Sequence, residues 1–390
     1  MRKPITGKKV AFLFTMLATS FVASTQPDFP TQVELKGSKG TMLVGKAITS
    51  FENPWAMVFL PDGHSLVTEK AGTLWLLDKN QQKRFAVTGT PNVTPRGQGG
   101  LGDVIVHPDF KTNSTIYISY IERDPKDDAY SGAVIERATL NISDSGANLS
   151  DRELIWHQSP KVTGNGHYSH RMAFSPDGYL FITSGDRQKF TPAQNMAMNL
   201  GKILRLNADG SVPQDNPFYG NGSVTEQIWT LGHRNPLGID FDEQGNLWSH
   251  EMGPRHGDEL NVIEKARNYG YPVVSQGDHY SGVKIPNHED YPIYKAPENA
   301  WVPAISPAGF IIYKGDMYKD WKGNGFIGGL SSEALVRVTF SQDGQKWNVE
   351  EAERYEWGKR VREVEQDNKG NIYVLEDKEG GRLIKLQPDT

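Results

Sequence analysis

The feature that most constrains the fold is a strand–turn–strand pattern that recurs along the chain. Each copy joins a short apolar run, a turn of the Pro-Asp-Gly type and a second run rich in aromatic or β-branched residues. A unit of this kind cannot bury both faces of its sheet alone, so the units must stack on one another. The copies occupy residues 57–69, 104–120, 172–184, 239–251, 309–328 (a degenerate copy) and 364–376.

The six copies predict an all-β fold, a six-bladed β-propeller of four-stranded antiparallel blades, because radial stacking leaves only short, protected sheet edges. A sandwich with hairpin turns is the alternative, but a turn motif repeated six times over this length argues against it. Residues 32–49 are expected to supply strands that close the ring beside the last copy. No linker or break in composition is visible, so residues 26–390 are predicted to form one catalytic domain.

The first 25 residues have the pattern of a signal peptide. A basic start precedes an apolar run at residues 10–23 that is too short for a comfortable membrane span, and small residues follow at Ala23, Ser24 and Thr25. Cleavage near residue 25 would give a periplasmic or secreted protein. An uncleaved anchor is the alternative. No later segment is apolar enough to span a membrane, so the mature chain is expected to have no membrane span.

Charge and cysteine content exclude several classes of function. The net charge is −5, so the chain lacks the basic surface that binding to a nucleic acid requires. The chain has no cysteine, which excludes disulfides, thiolate zinc sites and cysteine nucleophiles.

Residues 229–272 combine oxygen atoms that suit a metal ion with a positively charged arginine side chain. The chain breaks at Gly253 and Pro254, where carbonyl groups are free of any strand ladder, and an acid pair ending at Glu259 follows. Such oxygens suit calcium, and Arg234 on the preceding loop suits an anionic group that also touches the metal. Two ordinary turns with a buried structural arginine remain the alternative.

Two glycine-containing loops are further candidates. Residues 95–103 match G-x-G-x-x-G, but a strand follows instead of the helix that a dinucleotide site needs. We therefore predict a tight loop with Gln98 as its polar side chain. Residues 164–171 hold His167 and His170, and either could be a general base or a structural residue. The sequence alone does not choose between them.

A pair of arginines near the end of the chain suggests an anionic ligand. Arg360 and Arg362 lie two residues apart in a strand pattern, so their side chains point to the same face. Two guanidinium groups on one face repel each other unless an anion or acidic side chains lie between them, and a ligand with several carboxylates would suit the pair. Asp377 closes the same repeat.

Taken together, these runs resemble the soluble PQQ-dependent aldose, glucose and sorbosone dehydrogenases, which are six-bladed propellers. The most specific matches are LGHRNP, EMGPRHGDELN followed by NYGYP, GQGGLGD before HPDF, and the R-x-R of KRVRE followed by YVLED. The resemblance covers residues from about 53 to 386.

The resemblance implies a PQQ- and calcium-dependent dehydrogenase that oxidises an aldose-type sugar at its anomeric carbon and passes electrons to an external acceptor. It selects His167 as the base that takes the proton of the anomeric hydroxyl during hydride transfer to the quinone. The implied cofactor-binding residues are Gln98, Arg234, Asn235, Arg360, Arg362 and Asp377, with Gln98 also near the sugar. The implied calcium ligands are the carbonyls of Gly253 and Pro254 beside PQQ, and Glu259 and Tyr269 at a second, structural calcium.

The chain departs from the family pattern at four positions. Ser331 stands where the family usually has a lysine and Ala304 where it has a threonine, and both losses weaken cofactor anchoring. Gly166 replaces an acid and Leu237 a glutamine, which argues against a glucose-specific enzyme. Two other functions therefore stay open: a calcium-dependent propeller hydrolase of the lactonase kind, and a propeller binding protein without catalysis.

Overall fold

Strands account for almost all regular structure in the computed structural model, which describes residues 32–387. The prediction of an all-β fold is confirmed. The signal peptide predicted at residues 1–25 lies outside the described residues. Within residues 32–387, no helix combines the length and the apolar character needed to cross a membrane. The short helices are α1 (Phe110–Asn113) and four 3₁₀ turns at Thr191–Gln194, Ser223–Gln227, His288–Asp290 and Lys319–Trp321.

The described residues form 26 strands, numbered in chain order. The first ten are β1 (Gln32–Gly37), β2 (Met42–Phe51), β3 (Pro54–Phe59), β4 (Ser65–Glu69), β5 (Leu74–Leu77), β6 (Arg84–Thr88), β7 (Leu101–Val106), β8 (Thr115–Arg123), β9 (Tyr130–Ser143) and β10 (Gly146–His157). The next nine are β11 (Val162–Thr163), β12 (Ser169–Phe174), β13 (Leu180–Ser184), β14 (Lys202–Leu206), β15 (Ile228–Leu231), β16 (Pro236–Phe241), β17 (Leu247–Glu251), β18 (Asp258–Val262) and β19 (Asn299–Trp301). The last seven are β20 (Pro307–Ile312), β21 (Gly325–Gly329), β22 (Ala334–Asp343), β23 (Lys346–Glu356), β24 (Val361–Gln366), β25 (Ile372–Glu376) and β26 (Gly381–Gln387).

The strands of the described residues are arranged in four sheets around a ring. Two sheets hold β12–β15 and β16–β19. A third joins β3–β6 to β7–β10 by a parallel pairing of β6 with β10, and a fourth joins β20–β23 to β24–β26 through β1 and β2. The first strands of these runs (β3, β7, β12, β16, β20 and β24) pack each on the next, and β24 packs on β3. The six strands therefore enclose a central channel.

The amino-terminal strands close this ring. β2 pairs antiparallel with β26, and β1 pairs with β23 of the preceding run. The prediction that residues 32–49 supply strands beside the last repeat is confirmed.

Each of the six sequence repeats forms a hairpin whose first strand belongs to the ring. In all six hairpins of the described chain the pairing register shifts near the start of that first strand. A bulge of this kind bends a strand and re-aims its side chains. The residues at the shifts include Trp55, His170, Leu237 and Arg362, which line one cavity at the end of the channel.

The turn glycines explain why the hairpins recur. Gly63, Gly178, Gly245 and Gly370 have φ angles of 95°, 87°, 86° and 80°, a left-handed conformation that glycine adopts without steric cost. The N–H of each donates to a carbonyl three residues earlier, at 2.9–3.1 Å. The turn motif therefore recurs in the sequence because these turns need the same left-handed backbone conformation.

Hydrophobic side chains hold neighbouring runs together. Within residues 32–387, six buried clusters lie between consecutive runs of strands around the ring. Because each sheet packs against a neighbour on both faces, the second strands of the hairpins are buried along their length, as in β4, β13, β17 and β25. Burial on both faces fixes the inner strands, and with them the loops that bound the channel.

Candidate active site

Two adjoining cavities at one end of the channel collect most of the predicted site residues. The larger has a volume of about 570 Å³ and the smaller about 370 Å³. They share Gln98, Met252 and Ser306, so they form one continuous cleft. The larger cavity is lined by the predicted residues His167, Arg234, Gly253 and Pro254, and the smaller by Arg360, Arg362 and Asp377.

His167 is bonded to a buried carboxylate. Its Nδ1 lies 2.7 Å from Oδ1 of Asp186, which is fully buried two residues after β13. A carboxylate can only accept, so Nδ1 carries the proton and Nε2 keeps its lone pair. Burial lowers the pKa of His167 below its usual 6.5, although Asp186 opposes this shift. The ring is therefore neutral at neutral pH and can accept a proton at Nε2.

The two loops around His167 are locked to each other. The guanidinium of Arg187 donates to the carbonyls of Gly166 (3.0 Å) and Gly164 (2.6 Å) and packs 3.7 Å from the Tyr168 ring. Arg187 itself has a φ of 57°, a strained value for a residue other than glycine. This strain is offset by the hydrogen bonds, and together they fix the backbone that carries the histidine.

Gln98 completes this support. Its side-chain Oε1 accepts the backbone N–H of His167 at 2.7 Å. The backbone N–H of Gln98 donates to the Asn165 carbonyl at 2.9 Å. Nearby, Gly97 has a φ of 57°, and a Cβ there would lie 2.5 Å from the Asn165 carbonyl oxygen. The residues 95–103 do form a tight loop, and its close approach is to residue 165.

His170 occupies a different environment. Its ring stacks on Trp55 at 5.0 Å, and its Nδ1 lies 2.7 Å from the Ser119 hydroxyl. Complete burial lowers its pKa to about 3, so it remains neutral. The geometry therefore favours His167 over His170 as the base, a choice that the residues alone left open.

Arg234 and Asn235 meet Met252 at the wall between the cavities. Nη1 of Arg234 donates to the Met252 carbonyl at 3.0 Å, while its buried Nε has no hydrogen-bond partner among the described residues. Asn235 lies behind the wall, where its Oδ1 accepts from the Ser169 hydroxyl at 3.0 Å. Arg234 thus retains a buried donor for a ligand.

The Gly253–Pro254 turn presents free oxygen atoms. Among the described residues, no hydrogen bond reaches the carbonyl of Gly253 or Pro254. The N–H of Gly253 instead donates to Asp258 at 2.9 Å, and the same carboxylate accepts the N–H groups of Ile305 and Ser306. Asp258 therefore holds the turn in place, and both carbonyls remain available to a cation.

Arg360 and Arg362 share one carboxylate. Their Nε atoms lie 2.7 and 2.8 Å from the two oxygens of Asp377, which confirms that both side chains lie on the same face. Burial lowers the pKa of Arg362, with Asp377 opposing the shift. One carboxylate between two guanidiniums leaves an excess of positive charge in the smaller cavity.

The four departures from the family pattern lie in or beside the cleft. Ser331 and Ala304 contact each other, since the serine hydroxyl donates to the Ala304 carbonyl at 3.3 Å. The Ala304 N–H donates to Nδ1 of His256 at 3.3 Å. At Gly166, a Cβ would lie 2.8 Å from the side-chain amide of Gln188, so this amide occupies the space that an acidic side chain would need. Leu237 lines the smaller cavity.

Glu259 and Tyr269 do not line the cleft. Glu259 lies opposite Glu251 in the β17–β18 pairing, and burial with the neighbouring Glu251 charge raises the pKa of Glu259 well above 4.5. The Tyr269 ring stacks on His233, which bonds Glu251 at 2.8 Å, and the Tyr269 carbonyl accepts from Nε2 of His288 at 3.0 Å. The structure brings these residues into one buried cluster behind the cleft.

A buried ionic group lies next to the cleft. Arg171 packs over Trp55 and bonds to Asp103 and Glu363, and these three charged side chains line a third cavity. Burial raises the pKa of Glu363 to about 7 even though Arg171 lowers it. The group therefore lies behind Trp55 and Leu237 of the smaller cavity, since Nε of Arg171 also donates to the Leu237 carbonyl at 3.0 Å.

Sequence reasoning missed Asp186, Lys70 and Met252, all of which contact or line the site. Asp186 is the second residue of the polar run GDRQKF (residues 185–190), and an acid just after a strand was the available signal. Nothing local marks Met252 or Lys70, because the ring alone brings them to the cleft.

Comparison with known proteins shows the family of the chain. The family model described as glucose/sorbosone dehydrogenase matches residues 51–385. The aldose sugar dehydrogenase YliI of Escherichia coli K12 is 34% identical over 341 residues, which cover 86% of this chain and 90% of the relative. Quinoprotein glucose dehydrogenase B of Acinetobacter calcoaceticus is 31% identical over 322 residues, which cover 75% and 65%.

A solved structure of a relative has the same overall fold. The apo-form of the soluble aldose sugar dehydrogenase from Escherichia coli superposes with a TM-score of 0.83 at 34% identity, covering 89% of this chain and 100% of that one. A family model that spans most of the chain and a relative of this identity decide the classification. The chain belongs to the glucose/sorbosone dehydrogenase family.

Proposed function

We propose that this oxidoreductase is a PQQ- and calcium-dependent dehydrogenase that oxidises an aldose-type sugar at its anomeric carbon. The proposal includes a single catalytic domain at residues 26–390, built as a six-bladed propeller of four-stranded blades. The ring of six strands with recurrent bulges supports it. We also propose a signal peptide at residues 1–25, a periplasmic or secreted location, and an external electron acceptor as partner.

One observation carries the proposal. A neutral histidine held by a buried carboxylate opens onto the same cleft as an arginine pair and two free carbonyls. A base beside an anion site and a cation site is what cofactor-dependent oxidation of an alcohol needs. The name of the Acinetobacter relative, a quinoprotein, supports a quinone cofactor here.

The residues of the cleft fit PQQ, which carries several carboxylates on a flat ring system. Arg360 and Arg362 would hold its carboxylates, and the unpaired Nε of Arg234 offers a further donor. Trp55 and Met252 supply apolar surface for the rings. When bound, PQQ would supply the hydride acceptor that no amino-acid side chain provides.

The Gly253–Pro254 turn fits calcium. Two carbonyls without hydrogen bonds, held by Asp258, are hard oxygen donors of the kind that calcium takes, and the ion there would supply Lewis-acid polarisation. Behind the cleft, Glu259 and Glu251 are buried carboxylates in facing positions, and a divalent cation would relieve their repulsion. The Tyr269 carbonyl lies in the same cluster, which supports a second, structural calcium.

His167 is the proposed general base. Its Nε2 would accept the proton of the anomeric hydroxyl, and Asp186 would stabilise the imidazolium that forms. Gln98, bonded to the His167 backbone, would place its remaining amide donors toward the sugar. Such base catalysis is worth about 10²–10⁴-fold in rate.

The two other candidate functions are less well supported. A metal-dependent hydrolase would need several side-chain ligands on one ion, and residues 32–387 contain no group of three or more histidines and carboxylates with that geometry. A binding protein without catalysis would not need the His167–Asp186 pair. The pair therefore favours the enzyme.

The test is dye reduction by the apo-protein with a panel of aldoses, with and without PQQ and calcium. We expect activity only when both are added, and a loss of about 10²-fold or more in the His167→Ala variant. His157→Ala, which changes an exposed histidine in β10, is the matched control and should retain activity. Equal activity without PQQ, or an unaffected His167→Ala variant, would refute the proposal.

A further inference from the structure

We propose that Lys70 is a third cation for the carboxylates of the cofactor, acting together with Arg360 and Arg362. This inference rests on the proposed PQQ site. Neither the repeat pattern nor the resemblance singled out Lys70, which directly follows β4.

Lys70 lies in the smaller cavity with the arginine pair. Its side chain lines the cavity together with Arg360, Arg362 and Asp377. Nζ donates to the Gly97 carbonyl at 3.0 Å, a contact that turns the ammonium group toward the cleft loop. An ammonium group has three donors, so two remain for a ligand.

The backbone of Lys70 is held from both sides. Its N–H donates to the Asn53 carbonyl at 3.1 Å, and its carbonyl accepts the N–H of Leu101 at 3.2 Å. A Cβ at Gly100 would lie 2.2 Å from the same carbonyl, so this glycine allows the two chains to approach. Lys70 is therefore placed by two neighbouring hairpins and is not a free surface lysine.

The charged side chains around Lys70 favour the binding of an anion. Among the described residues no carboxylate lies within 4.0 Å of its Nζ, and Asp377 already binds both arginines. The cavity wall thus carries three cations and one carboxylate, since His170 is neutral. Burial and the charge of Arg362 lower the pKa of Lys70, with Asp377 opposing the shift, and an anion in the cavity would favour its ammonium form.

The form of the cavity selects the kind of anion. Trp55, Leu237 and Leu330 supply apolar wall beside the cations. A flat, multiply charged carboxylate such as PQQ satisfies both the apolar and the charged parts of this wall.

The experiment is a titration of the calcium-loaded apo-protein with PQQ, followed by tryptophan fluorescence and calorimetry, so that no enzyme turnover is involved. Lys70→Met should weaken PQQ binding about 5- to 20-fold, the effect of losing one partly exposed charge-assisted contact. Lys70→Arg should restore most of the affinity. Lys126→Met, a change of an exposed lysine that lines neither cavity, is the control and should bind as the wild type does.

A second probe separates charge from loop structure. The trimethyl ester of PQQ has no carboxylate charge, so its affinity should be the same for wild type and Lys70→Met. If Lys70→Met weakens ester and acid equally, the lysine acts only by holding Gly97, and the inference is overturned. It is likewise overturned if PQQ affinity changes less than twofold while the wild type binds. A wild type that does not bind PQQ would overturn the proposed function and this inference together.

Discussion

The Asp186→Asn variant tests the assignment of the base most sharply. The carboxylate of Asp186 is fully buried and accepts Nδ1–H of His167 at 2.7 Å and the N–H groups of Gln188 and Phe190 at 2.9 and 3.2 Å. An asparagine keeps the shape but loses the charge, and its NH₂ group must face one of these donors. The charge-assisted bond to the imidazolium, worth about 1.5–3 kcal/mol, is lost during catalysis.

That loss predicts a fall in kcat of about 10- to 150-fold, since 1.36 kcal/mol corresponds to tenfold in rate. PQQ affinity should stay within about twofold, because Asp186 does not line the cleft. The assay is dye reduction at saturating PQQ, calcium and sugar, with cofactor binding measured separately. Asp144→Asn, in the exposed turn between β9 and β10, is the control. An Asp186→Asn variant with unchanged kcat would refute the role of the carboxylate.

Three further predictions concern pH, stability and metal. Burial lowers the pKa of His167, so kcat/KM should rise with pH on a limb below 6.5 and be flat at neutral pH; a limb above 7 would contradict this. Arg171→Met leaves Asp103 and Glu363 buried without their cation and should cost about 3–5 kcal/mol, seen as a lower Tm, with part restored by adding Glu363→Gln. Removing calcium with a chelator should weaken PQQ binding and lower the Tm, and adding calcium back, but not magnesium, should restore both; insensitivity to the chelator would exclude the metal proposed at Gly253.

The hairpins could be predicted because their signals are local. A turn glycine such as Gly178 and the alternation of side chains are readable within a dozen residues, and the structure has a hairpin at each of the six repeats. The common face of Arg360 and Arg362 followed from the same two-residue period. Local backbone preferences therefore gave the strands and the arginine pair.

The site itself depends on contacts that no local pattern encodes. Asp186 meets His167 because β12 and β13 pair, and Lys70 lies in the same cavity as Arg362 only because the ring closes the last repeat onto the first. Burial also favours His167 over His170 as the proposed base, since His170 is enclosed by Trp55 and Ser119. These outcomes follow from the closed ring and could not be read from spacing.

The most direct test of the central claim is a calorimetric titration of the purified apo-protein with PQQ, in the presence of calcium and after its removal. We predict saturable binding with one PQQ per chain that is at least tenfold tighter with calcium, and that weakens strongly when Arg362 is changed to methionine. Absence of saturable binding with calcium present, or equal binding by Arg362→Met, would contradict the account of the cleft as a quinone cofactor site.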